Sequence, residues 1–156
     1  METASLKEIK KELKTIPPQQ LHEIVLRLAK FKKENKELLS YCLFDAFNKP
    51  AYIKAIKDEI DGHLKNTHKN NPHLTTKVIR KILKNINKYI RFIGSKEIEV
   101  ELLVYLCRQI KKYSRQLNYN RALDTLYGNL IKRIKKTLAT LHEDLQMDYE
   151  ETLKNI

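Results

Sequence analysis

Apolar residues recur every three or four positions along nearly all of this 156-residue chain. That is the period of amphipathic helices. The spacing predicts seven or eight helices and an all-α fold. Ser5 caps a short first helix bearing Leu6, Ile9 and Leu13; Pro17 and Pro18 stop it and start the second. The second helix turns Leu21, Ile24, Val25, Leu28 and Phe31 inward. Asn35 caps a third through about Phe47. Asn48 and Pro50 open a fourth, with Ile53, Ile56, Ile60 and Leu64 inward. Residues 62–74 read as the clearest loop. A fifth helix follows from about Thr76 and ends at Gly94, a left-handed C-terminal cap. Ser95 caps a sixth through about Gln116, and residues 117–120 turn. A seventh runs from about Arg121 to Leu141, with Leu123, Leu126, Leu130, Ile134, Leu138 and Leu141 on one side. A short last helix covers about Asp148–Leu153.

Two segments, Leu38–Phe47 and Ile98–Cys107, are apolar on nearly every side, so both are expected to be buried among other helices. Both carry Glu-Leu-Leu-x-Tyr, at Glu37–Tyr41 and Glu101–Tyr105. The pattern suggests one domain over residues 1–156, holding two degenerate three-helix repeats at about 18–64 and 76–141. These would stack as helical hairpins into a small α-solenoid; an irregular helical bundle is the alternative.

The opening is Lys-Glu-Leu-Lys-Thr at Lys11–Thr15, then Gln-Leu-His-Glu-Ile-Val-Leu-Arg-Leu at Gln20–Leu28, then an aromatic-rich element at Lys36–Phe47. It resembles the start of an uncharacterised all-helical bacterial family. The resemblance implies an all-α fold and no known activity, and it transfers no catalytic residue.

Charge changes the picture most in the fifth helix. Lys77, Arg80, Lys81, Lys84, Lys88 and Arg91 fall within a sector of roughly 100° at helical spacing. Val78, Ile79, Ile82, Ile86, Tyr89, Ile90 and Ile93 occupy the other side, and no Asp or Glu interrupts the run. Arg108, Lys111, Lys112 and Arg115 line one side of the sixth helix. Lys132, Lys135 and Lys136 oppose the leucines of the seventh. Lys111 to Arg121 interleaves cations with tyrosines and amides, which suits phosphate contact with base stacking. The net charge is +12, and residues 77–136, with sixteen basic and four acidic side chains, carry an excess of that size. Such a field favours an acidic protein or nucleic acid. Abundant Ile, Lys and Asn is equally the composition of an AT-rich genome, in which surplus lysine lands on any solvated face. The tail is acidic: Glu143, Asp144, Asp148, Glu150 and Glu151 are able to fold back onto the lysine stripe.

Catalytic constellations are close to absent, and the reading is of a non-enzyme without cofactor or metal. The three glycines, Gly62, Gly94 and Gly128, form no phosphate loop, and the four serines form no nucleophile elbow. The carboxylates Asp58, Glu59 and Asp61, and likewise Glu97, Glu99 and Glu101, read as solvated charge or helix-start stabilisation. His63, His68 and His73 are five apart in one polar loop and match no tight ligand spacing. His22 and His142 carry no assigned role. Glu37 and Glu101, at the edges of the apolar segments, call for a Lys, Arg or Tyr partner. Cys42 and Cys107 read as small buried hydrophobes. The opening lacks an apolar leader, which points to a cytoplasmic setting. From sequence, the leading function is a non-catalytic module presenting its basic face to an acidic protein. Backbone-directed DNA or RNA binding, with little sequence specificity, is the alternative.

Overall fold

The computed structural model describes residues 2–65, 72–113 and 120–156, residues 72 and 73 by backbone alone. Eight α-helices and one π-helical turn make up these residues, with no strand among them. They are α1 (Leu6–Glu12), α2 (Pro18–Phe31), α3 (Lys33–Ser40), the π-turn (Tyr41–Asp45), α4 (Lys49–Lys65), α5 (Pro72–Ile93), α6 (Lys96–Lys112), α7 (Arg121–Leu138) and α8 (Glu143–Lys154). The chain groups into two compact units, Met1–Phe47 and Asn48–Ile156, where the sequence suggests one domain. The boundary falls inside the stretch 18–64 expected to form the first repeat.

In the first unit, Ser5 Oγ accepts the Glu8 amide at 3.3 Å while Glu8 Oε2 accepts the Ser5 amide at 2.7 Å. This reciprocal cap starts α1. The Ser5 hydroxyl, and then its backbone N–H, hold the Glu8 carboxyl below the usual carboxylate range. Proline opens α2 as expected. Asn35 does not cap α3: it lies inside that helix, and its Nδ2 donates to the Leu28 carbonyl at 2.9 Å, closing the end of α2. The segment Leu38–Phe47 also departs from expectation. It is no continuous buried helix, because the ladder slips into the π-turn at Tyr41. Phe44 is 71 % exposed and Phe47 78 %. Cys42 is exposed too. Among the described residues of this unit, Tyr41 is the one buried hydrophobe. Apolar content shows that a segment can be buried; packing decides whether it is.

The second unit holds the core, and α6 is its centre. Val100, Leu102, Leu103, Val104, Leu106, Cys107 and Ile110 of α6 are all buried. Around them pack Ile56, Ile60 and Leu64 of α4, Ile79, Ile82, Ile86 and Ile90 of α5, and Leu123, Leu130, Ile134 and Leu138 of α7. Helix α4 runs through Gly62 to Lys65, so the expected loop 62–74 is shorter on both sides. Burying Ile60 and Leu64 offsets the roughly 1 kcal/mol that an interior glycine costs a helix. Asn120 caps α7 by accepting the Leu123 amide at 2.9 Å. The acidic tail forms α8, which is longer than expected and seats Tyr149, Leu153 and Ile156 against the core.

Polar bonds set the helices in register. Lys57 Nζ of α4 donates to Glu101 Oε1 of α6 at 2.6 Å and sits 5.3 Å from the centre of the Tyr105 ring. Burial first, then the Asp61 carboxylate beside it, push the Tyr105 hydroxyl up to about 12. Glu59 of α4 accepts from Asn85 and from the Tyr89 hydroxyl of α5. Arg133 of α7 reaches two helices: its Nε and Nη2 grip Glu99 of α6 at 2.8 and 2.7 Å, and its Nη1 donates to Asn87 of α5 at 2.6 Å. Glu59, Glu99 and Glu101 are therefore inter-helix ties, not the solvated charge the sequence suggests. Asp58 does stay at the surface, paired with Lys54.

Three predictions follow from this packing. Arg133→Met strands the Glu99 carboxylate, whose side chain is 17 % exposed. It should lower the unfolding free energy by about 2 kcal/mol in urea titration, with Glu99→Met in the same chain restoring most of it; an unchanged midpoint for the single variant contradicts the clamp. Gly94 closes α5 at φ 68, so Gly94→Ala should cost about 1 kcal/mol through backbone strain alone. Burial pushes the Cys107 thiol up to about 12, whereas Cys42 is exposed. A disulfide reagent at neutral pH should therefore modify one thiol per native chain quickly and the second only on unfolding.

Candidate anion-binding surface

Helix α5 divides cleanly into two faces. Ile79, Ile82, Ile86 and Ile90 are buried, while Lys77, Arg80, Lys81, Lys84 and Arg91 are exposed. Lys88 is half-buried, with its Nζ 4.9 Å from the Tyr89 ring centre. From Lys77 to Arg91 the row extends about 21 Å along the axis. Among the described residues, none of Lys77, Arg80, Lys81, Lys84 and Arg91 forms an ion pair or a side-chain hydrogen bond. A row of unpaired cations on a helix held by a buried opposite face keeps its repulsion unrelieved until an anion arrives.

Helix α7 lies beside α5 and parallel to it. Asn120 at its start bonds Thr76, and Arg133 further along bonds Asn87. Arg121, Lys132, Lys135 and Lys136 are exposed on its outer side. Between the two helices is an open cleft of about 420 Å³ lined by Arg80 and Leu83 of α5 and by Thr125, Leu126, Asn129 and Arg133 of α7. The stripe thus continues through Arg80 into a groove edged by α7. No exposed aromatic side chain stands on α5 or α7 among the described residues.

The cations of α6 are placed differently. Arg108 donates to Thr152 Oγ1 at 3.2 Å, and Lys111 to the Asn155 carbonyl at 3.0 Å. Both are spent on holding α8. Lys112 sits 5.6 Å from the Tyr113 ring centre, and Arg115 lies outside the described residues, as does most of the tyrosine-rich stretch. The structure therefore ties α5, with its row of cations, to α7, and commits Arg108 and Lys111 of α6 to α8 and its C-terminal cap. Nor does the acidic tail cover the stripe. Helix α8 packs on α6 and α7, and among the described residues none of its carboxylates pairs with an α5 cation.

Other candidates resolve into structural roles. His63 Nε2 lies 3.6 Å from Glu59, while the side chains of His68 and His73 are outside the described residues. Among the described residues no group of three His, Cys, Asp or Glu could hold a metal. His142 accepts the Asp144 amide at 3.4 Å as the cap of α8. No helix of the described residues is long and apolar enough to cross a membrane. Sequence reasoning missed Arg133. The signal was there in Glu99, a carboxylate within an all-round apolar helix that needed a cation from elsewhere. No protein-family model, no curated protein and no solved structure matches this chain.

Proposed function

We propose that the chain is a non-catalytic interaction module whose basic face on α5 and α7 takes an acidic protein partner. The observation that carries this reading is the exposed, unpaired row Lys77, Arg80, Lys81, Lys84 and Arg91 on a helix fixed by its buried isoleucines. Lysine predominates, giving point-charge attraction on flexible stems instead of a rigid bidentate fork. That chemistry suits clustered carboxylates of varied geometry. A cytoplasmic setting goes with the reading.

The length of the row favours a second reading. About 21 Å spans several phosphates of one nucleic-acid strand, so binding to the backbone of DNA or RNA would use the same residues. Its hallmark is affinity that falls steeply with salt and ignores sequence.

Fluorescence anisotropy separates the two. A labelled poly-glutamate peptide should bind with micromolar affinity at low salt. Lys77→Glu, Lys81→Glu and Lys84→Glu together should weaken that binding at least tenfold. Duplex DNA that binds tighter than the peptide at physiological salt, and loses binding in the same variant, would favour the nucleic-acid reading. Binding to neither polymer at low salt would overturn both.

A further inference from the structure

Five side-chain bonds in the second unit join residues 44 positions apart. Lys57 meets Glu101, Thr76 meets Asn120, Lys96 meets Thr140, Arg108 meets Thr152 and Lys111 meets Asn155. They link α4 to α6, α5 to the cap of α7, and α6 to the turn at Thr140, to α8 and to its C-cap Asn155. The step occurs once between α4 and α6, once between α5 and the start of α7, and three times between α6 and residues 140–155, while a further α5–α7 bond, Asn87 to Arg133, spans 46 positions. The same step carries buried residue onto buried residue: Ile56 to Val100, Ile60 to Val104, Ile79 to Leu123, Ile86 to Leu130 and Ile90 to Ile134. It also carries Tyr105 to Tyr149, both packed on the core.

We infer that α4–α5 and α6–α7 are two copies of one 44-residue helical-hairpin repeat, and that the repeat sets the cations of α5 and α7 in columns that bind an acidic polypeptide lying across both helices. The period lies within the range of two-helix solenoid repeats. It differs from the offset of the Glu-Leu-Leu-x-Tyr pair, which matches letters but not structural settings. Helix α8 begins a further step with its chemistry changed. Leu102, Leu106 and Ile110, on the side of α6 that carries Glu99 toward α7, become Gln146, Glu150 and Lys154, which line an open cleft of about 470 Å³ beside Lys135 and Leu138.

The step has a consequence for charge. It carries Lys77 to Arg121, Lys88 to Lys132 and Arg91 to Lys135, cation to cation. The other stripe positions, Arg80, Lys81 and Lys84, meet Asp124, Thr125 and Gly128. The surface therefore holds three two-cation columns, and between them the α5 cations Arg80, Lys81 and Lys84 stand opposite Asp124, Thr125 and Gly128 of α7. The two helices are joined by the Thr76–Asn120 and Asn87–Arg133 bonds. An extended polypeptide places side chains on one face about every 7 Å, so consecutive same-face carboxylates reach the two cations of a column. The aromatic rings of α5 and α7, Tyr89, Phe92 and Tyr127, are half-buried, which leaves little open ring face for stacking single-stranded nucleic acid. This inference rests on the basic-face reading above and adds which residues act together.

The test compares variants within one helix and between helices, using labelled poly-glutamate and the full chain. Lys77→Glu/Lys88→Glu/Arg91→Glu on α5 and Arg121→Glu/Lys132→Glu/Lys135→Glu on α7 should each weaken binding about tenfold or more, to a similar extent. Lys132→Glu alone should weaken it several-fold. Lys30→Glu, on α2 in the first unit, should leave it nearly unchanged at the same net charge. Circular dichroism checks that each variant stays helical. Loss from the α5 set with none from the α7 set overturns the columns while leaving the basic-face reading intact. Equal loss from Lys132→Glu and Lys30→Glu overturns them too, since only net charge then matters. Tighter binding of duplex DNA than of the peptide at physiological salt replaces the acidic polypeptide with nucleic acid. No binding by the unaltered chain removes the basic-face reading itself.

Discussion

Helix α6 has to be surrounded. Seven of its residues are buried and they point around most of its circumference, so it cannot rest against one neighbour with the other side in water. At about 25 cal/mol per Å² of apolar surface, leaving one flank open would cost several kcal/mol, comparable to the whole stability of a small unit. The placement of α4, α5, α7 and α8 answers that requirement. Each turns an apolar stripe toward α6 and leaves its remaining sides for solvent, and that is why α5 can be so strongly divided. Its isoleucines are committed to the core, and among the described residues Lys77, Arg80, Lys81, Lys84 and Arg91 make no ion pair.

Polar ties refine what apolar burial begins. Apolar packing brings helices together but tolerates sliding; a bond such as Lys57 to Glu101, or the three-helix grip of Arg133, fixes the register. Register is what matters to the surface, because a slip of one residue would rotate the α7 cations away from those of α5. The carboxylates of α4 and α6 thus shape the basic face without being part of it. Their partners are spent on the interior, while the α5 row stays open.

Much of this was legible in the sequence. Periodicity located most of the helices to within a few residues, the third and the last excepted, and Ser5, Pro18, Ser95 and Asn48 marked starts that the backbone uses. The two faces of α5 could be read directly, since both depend only on spacing along one helix. What failed depends on partners distant in sequence. Leu38–Phe47 and Ile98–Cys107 are equally apolar, yet most of the second is buried while Tyr41 is the one buried residue of the first. The fate of Arg108 and Lys111 turned on α8, which sequence spacing placed too short. The 44-residue step is carried by residue class, Ile matched to Val or Leu and Lys to Arg, so identical letters elsewhere drew attention from it.

The sharpest question is whether the α5–α7 face, not lysine content at large, receives an acidic partner. Lysine acetylation footprinting by mass spectrometry, with and without poly-glutamate, addresses it residue by residue. The account predicts slowed acetylation at Lys77, Lys81, Lys84, Lys132 and Lys135, with Lys30, Lys54 and Lys154 unchanged. Protection spread evenly over all exposed lysines, or confined to those outside α5 and α7, would contradict it.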